Sequence, residues 1–247
     1  MSPGTGALLC PQRHSPGGTA LFDLTPLDYI ALAIFAVCWV GYTLAADHGP
    51  GHERSVSAVM SRYRTRWMRQ MLVRENRMID ASINSSLQNG AAFFASTSIF
   101  ALGGLIAILG ASEQTMAFLE KLPVVQQASP SVWQLKVLMM IAILAYAFFK
   151  FAWSFRLYNY SAVLLGAAPV EAHDDPEADA IARRTARIST LAGRHFNRGL
   201  RGYFFALAAL GWFIHPGLFV ATSILVVLVI YRREFRSKSL RLLSEGS

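Results

Sequence analysis

Acidic side chains are scarce in this chain: 15 of 247 residues are Asp or Glu, against 23 Lys or Arg. Charged residues of both signs reach only 15%, where soluble domains carry about 25%. A water-facing globular surface is hard to build from that composition. Cysteine is nearly absent too, with Cys10 in a Gly/Pro-rich tail and Cys38 inside an apolar run. Neither a disulfide framework nor a thiolate metal site follows from two such residues. Catalytic patterns are missing as well: no G-x-S-x-G, no P-loop, no H-E-x-x-H, and no pair of acids on one helical face. The expectation is a non-enzymatic protein with no cofactor and no metal.

What the chain does have is apolar length. Hydrophobic residues make up 53% and the mean hydropathy is +0.36. A helix needs about 20 mostly apolar residues to cross a bilayer. Four regions meet that demand: 29–46, 91–111, 132–157 and 203–231. The first has a marked start, with Thr25 as cap, Pro26 at the first helical position and Asp28 in the first turn. One arginine and two aspartates precede it, with no basic n-region, so an uncleaved anchor is expected rather than a signal peptide. Residues 1–24 are rich in Gly, Pro and Ser and read as a disordered tail. Residues 25–242 read as one integral membrane domain, and 243–247 as a flexible end.

Basic residues divide unevenly between the spans. Residues 1–28 hold one, 47–90 hold seven, 112–131 hold only Lys121, and 158–202 hold six. Since Lys and Arg resist translocation, the N-terminus is expected outside and both long loops in the cytoplasm. The last region is interrupted by His215-Pro216-Gly217. A single crossing would leave Arg232, Arg233, Arg236, Lys238 and Arg241 outside, whereas a hairpin keeps them inside. A hairpin broken at His215-Pro216 is therefore expected, giving four to five crossings.

The stretch RYRTRWMRQMLVRENR, residues 62–77, holds six arginines. On a helix over 61–80, Arg62, Arg66, Arg69 and Arg77 fall on one side. Met60, Met68, Met71, Leu72, Met78 and Ile79 fall broadly opposite. Such a helix lies against anionic headgroups, or packs its methionine side on a partner helix. Nucleic acid is not expected as a partner, because aromatics are sparse here and no recognised binding motif is present. A second helix of like design follows Asp175-Pro176, carrying Arg183, Arg184, Arg187, Arg194, Arg198 and Arg201. Cytoplasmic helical extensions are thus expected at 54–90 and 174–202.

Three blocks carry a family likeness: NGAAFFASTSIF (89–100), KFAWSFRLYNY with GAAP soon after (150–169), and LVIYRREFRS (228–237). The chain resembles a group of small integral membrane proteins, bacterial with plant relatives, catalogued as a domain of unknown function, the 599 family. The likeness covers about residues 27–242. It implies a membrane protein and supplies no activity, cofactor or catalytic residue. With it, the expected location is the bacterial inner membrane, multi-pass.

Within the spans a few polar groups stand out. Lys150 sits among Phe148, Phe149, Phe151 and Trp153. A charge at that depth either snorkels to the interface or serves an anion or headgroup. Arg156 is spaced to stack on Trp153 or Tyr160, and with Tyr158 and Asn159 it forms a polar aromatic collar, either an interfacial belt or a site. Asn89, Ser96 and Thr97 place polar groups at or within the second span, where they line a water path or bond between helices. Gly103, Ala107 and Ala111 put small residues at every fourth position, which permits close helix contact. DHGPGHE (47–53) and HDD (173–175) contain metal-ligand types, but the Gly-Pro-Gly break and a helix start explain them without a metal. His215 lacks a second buried histidine and reads as a turn residue.

The expected fold is an all-α polytopic membrane helix bundle with long cytoplasmic amphipathic helices. The expected function is an oligomeric channel- or transport-like bundle. The alternative is a scaffold or accessory subunit of a larger membrane complex, and an intramembrane enzyme is third. Anionic bilayer lipid and further copies of the chain are the expected partners.

Overall fold

The computed structural model describes residues 24–49, 51–111, 129–170 and 175–245. The tail before residue 24, Cys10, Lys121, the His173-Asp174 pair and the last two residues lie outside the described residues. Among the described residues the structure is all-α.

Helix α1 runs Pro26–His48. Thr25 and Asp28 form a reciprocal capping box: Asp28 N donates to Thr25 Oγ1, while the Thr25 hydroxyl and amide donate to Asp28 Oδ2 at 2.6 and 3.0 Å. A π-turn at Val37–Gly41 widens the helix midway. At 1.5 Å per residue its 23 residues reach about 34 Å, close to the hydrocarbon thickness plus its margins. A short 3₁₀ turn, His52–Arg54, leads to α2, Val56–Leu72, whose Ser55 hydroxyl accepts the Ala58 amide.

Here the structure corrects the sequence reading. Residues 61–80 are not one helix: α2 stops at Leu72, and α3 starts afresh as Met78–Gly110. The elbow is held by polar chemistry. Asp80, fully buried, accepts from Trp67 Nε1 and Arg74 Nη1, both at 2.6 Å. Asn76 Oδ1 accepts the Met78 amide, and Arg77 donates across to the carbonyls of Ala168 and Pro169. A continuous helix would pull all these groups apart. Arg77 therefore belongs to the elbow, not to the arginine side of α2.

Helix α4 is Pro130–Ala167, α5 is Pro176–Ile214, α6 is Pro216–Phe235 and α7 is Lys238–Ser244. Each of α4, α5 and α6 begins with proline, whose missing N–H costs nothing at that position. Three helices, α1, α3 and α4, are long and apolar enough to cross a membrane.

The expected hairpin is present. His215 adopts an extended conformation and its Nδ1 accepts the Gly217 amide, so α5 ends and α6 turns back along it. Trp212 stacks on Phe219 at 5.5 Å, and Thr222 Oγ1 donates to the Ala208 carbonyl. Gly211 lacks the Cβ that would crowd the Leu218 carbonyl at 3.2 Å. The main core joins Phe35 of α1, Ile143 of α4, Phe205 and Trp212 of α5, and Phe219 of α6. A second core joins Met68, Met71 and Leu72 of α2 to Leu165 of α4 and to Ala178, Ala182 and Ala186 of α5. The methionine side of α2 thus meets α4 and α5, leaving Arg62, Arg66 and Arg69 on the exposed side.

Candidate functional site

Helices α1 and α4 start, and α3 and α5 finish, at one end of the bundle. At that end Trp212 Nε1 donates to Asp28 Oδ1 at 2.7 Å. Lys136 Nζ donates to the Trp212 carbonyl at 2.8 Å, and its ammonium lies 5.3 Å from the indole centroid. Asp28 and Lys136 are 5% and 3% exposed. An acid and a base buried this deeply offset one another's charge and keep their hydrogen bonds.

The opposite end gathers arginine. Asp47, near the close of α1, accepts from Arg198 Nε at 2.8 Å and from Arg201 Nη2 at 2.7 Å. Arg198 and Arg201 are three apart on α5 and share one face, which is why a single carboxylate serves both. Arg201 also lies 5.9 Å from the Tyr42 ring. Lys150 sits 5.1 Å from the Tyr146 ring, in the field of Asp47 and Arg198. His195 joins this group. Burial, then the charges of Lys150 and Arg198, push its pKa down to about 4.

Beside this network is a cavity of about 360 Å³ between α1, α2, α5, α6 and the start of α7. Arg64, Arg194, Arg201 and Arg233 line it, with Asp47 and Glu234 as its acids. Glu234 is engaged with the Ser57 amide at 3.1 Å, and Asn197 Nδ2 donates to Ser57 Oγ. Gly193 makes room for Arg64: a Cβ there would lie 2.8 Å from the guanidinium.

The residues singled out in the sequence do not form one site. Arg156 stacks on Tyr160 as its spacing suggests, with Nε donating to the phenol at 2.6 Å and ring centroid at 5.6 Å. Trp153 is not part of that stack; it meets the His195 ring edgewise at 6.4 Å. Asn159 turns into the seam between α3 and α4, accepting from Gln88 Nε2 at 2.6 Å. Asn89, Ser96 and Thr97 lie on the exposed side of α3, where Thr97 satisfies its hydroxyl on the Phe93 carbonyl. Among the described residues no three His, Cys, Asp or Glu side chains gather as a metal set.

Sequence reasoning passed over Lys136 and read Asp28 only as a helix-start signal. Asp47 stood out only as part of a metal-like loop, and Arg198 and Arg201 only as charges on a basic helix. One signal was available: acids near both ends of the first span, facing basic residues in apolar or helical surroundings elsewhere.

An all-α bundle with three membrane-length apolar helices defines a polytopic membrane-type protein. A family profile described as "Protein of unknown function, DUF599" matches residues 30–239, and the chain belongs to that family. No curated protein and no solved structure matches it.

Proposed function

We propose that this chain works as a non-enzymatic homo-oligomer of the bacterial inner membrane, with a channel- or transport-like role. The observation that carries this is the bare side of α3. Its most apolar stretch is 6% buried, against 33% for α4. That bare side is not purely greasy. Ser96 and Thr97 sit near mid-length and Asn89 towards the arginine-rich end, all exposed. Gly103 has open space where a Cβ would stand, and Ala107, one turn on, is exposed. Small residues four apart let helix backbones approach, and hydroxyls and amides bond across helices in lipid. A second copy of α3 meets both requirements better than acyl chains do.

In this reading the arginine-rich end faces the cytoplasm, following the positive-inside rule. The exposed Arg62, Arg66 and Arg69 of α2 then face anionic headgroups. Subunit stoichiometry in lipid nanodiscs tests the assembly. The expected result is a defined oligomer that dissociates in Gly103→Leu and Ala107→Leu. A monomer in both wild type and variants refutes it. Liposome anion flux, lost in the Ser96→Leu/Thr97→Leu double variant, tests the path.

A second reading has its own support. The apolar side of α2 is spent inside the molecule, so its exposed Arg62 and Arg66, outside the ion pairs among the described residues, are placed to hold an acidic partner, as a scaffold would. Copurification of a stoichiometric partner, lost on Arg62→Glu/Arg66→Glu and unaccompanied by flux, favours that reading.

A further inference from the structure

We propose that the cavity at the arginine-rich end is a binding site for a phosphate group, carried by a lipid headgroup or by a soluble phosphoester. The proposal stands on this chain's own side chains and does not depend on the α3 seam. Four arginines, Arg64, Arg194, Arg201 and Arg233, line it from α2, α5 and α6. Among the described residues only Arg201 of these four pairs with a carboxylate. The two acids in the wall are already committed, Asp47 to Arg198 and Arg201, Glu234 to the Ser57 amide. The wall therefore carries four arginines against two carboxylates, an excess of positive charge.

Arg201 is the sharpest indicator. Its side chain is 11% exposed, one nitrogen is fixed by Asp47, and Nη1 is buried with no hydrogen-bond partner. A buried guanidinium N–H left unmade is costly. An anion in the adjacent cavity would accept it. The other polar lining suits phosphate oxygens: Ser57, Thr190 and Asn197 bring hydroxyl and amide groups. Arginine forks match phosphate bidentately, and hydroxyls add bonds a spherical ion would not need. Part of the wall is apolar, from Phe204, Val229 and Ile230, at the edge of the apolar spans. A ligand with a phosphate head and an apolar tail fits both walls; a soluble phosphoester fits the polar one.

The test uses the full chain in phosphatidylcholine nanodiscs. In one arm phosphatidic acid is mixed into the bilayer, and native mass spectrometry counts retained lipid. In the other, glycerol 3-phosphate and inorganic phosphate are added against chloride at equal ionic strength, and the melting temperature is read. Retention of phosphatidic acid over phosphatidylcholine supports the lipid source, and stabilisation by the soluble phosphates supports the soluble source. Arg194→Gln and Arg233→Gln, both exposed and outside the ion pairs, are expected to fold and to weaken binding about tenfold each. Arg62→Gln, on the exposed side of α2, is expected to leave it unchanged. No binding in either arm overturns the proposal. So does equal binding in the cavity variants, or a loss in Arg62→Gln as large as theirs.

Discussion

Replacing Asp47 by Asn removes the carboxylate that Arg198 and Arg201 share, at 2.8 and 2.7 Å. Asp47 and Arg201 are each 11% exposed, whereas Arg198 is 27% exposed. Removing one partner of a fully buried pair costs about 3–5 kcal/mol, because the other charge is left stranded. The more exposed Arg198 contact adds on the order of 0.5 kcal/mol. Since an amide oxygen still accepts one hydrogen bond, the expected loss is about 3 kcal/mol. For a chain of this size that is a fall of roughly 6–12 °C in melting temperature. Thermal unfolding of the purified protein in mild detergent reads it. A double-mutant cycle with Arg201→Met isolates the pair: the double variant should lose less than the sum of the singles, because neither charge is then orphaned. A melting temperature within about 1 °C of wild type, with additive singles, would refute the claim that this pair holds α1 to α5.

At the other end the two partners should differ. Asp28 keeps hydrogen bonds from Thr25 and Trp212 without Lys136, whereas Lys136 keeps one carbonyl without Asp28. Lys136→Met should therefore destabilise less than Asp28→Asn, as measured by unfolding midpoint. Gly199→Ala should cost about 1–3 kcal/mol, because the new Cβ would come within 2.6 Å of the fully buried Phe151 ring. Gly193→Ala should cost less, since the atoms it meets are the mobile end of Arg64; equal losses in the two would contradict the packing described. His195 is held neutral by burial and by Lys150 and Arg198, with Asp47 opposing, at about 4 against 6.5 unfolded. Below about 6.5 the unfolded chain takes up the proton that the folded chain refuses, so this contribution to stability falls between pH 6.5 and 4. His195→Phe should flatten that part of the profile, and an unchanged slope would exclude His195 as its source.

Much of the fold was legible because membrane helices announce themselves by length. The region 29–46 became Pro26–His48, with the Thr25 cap in place, and 132–157 became Pro130–Ala167. The break at His215-Pro216 was legible from proline and from the five basic residues beyond it. The elbow at 73–77 was not, because helical periodicity over 61–80 continues through it. Tertiary contacts mark the break: the buried Asp80 draws Trp67 and Arg74 together, and Arg77 reaches the carbonyls of Ala168 and Pro169. The site was less legible than the fold. Lys150 stood out in its own helix, yet its neighbours Asp47, Arg198 and His195 come from α1 and α5. Lys136 escaped notice since its acid lies more than a hundred residues away, and only the packing of α1, α4 and α5 joins them.

The most direct test of the account is the sidedness of the two ends in living cells. With Cys10 and Cys38 replaced, single cysteines at Arg66 and at Gly110 are probed with a membrane-impermeant maleimide, the chain first being shown to stay with carbonate-washed membranes. Labelling is expected at position 110 in intact cells and at position 66 only after permeabilisation. Labelling at 66 from outside, or recovery of the chain in the soluble fraction, would contradict it.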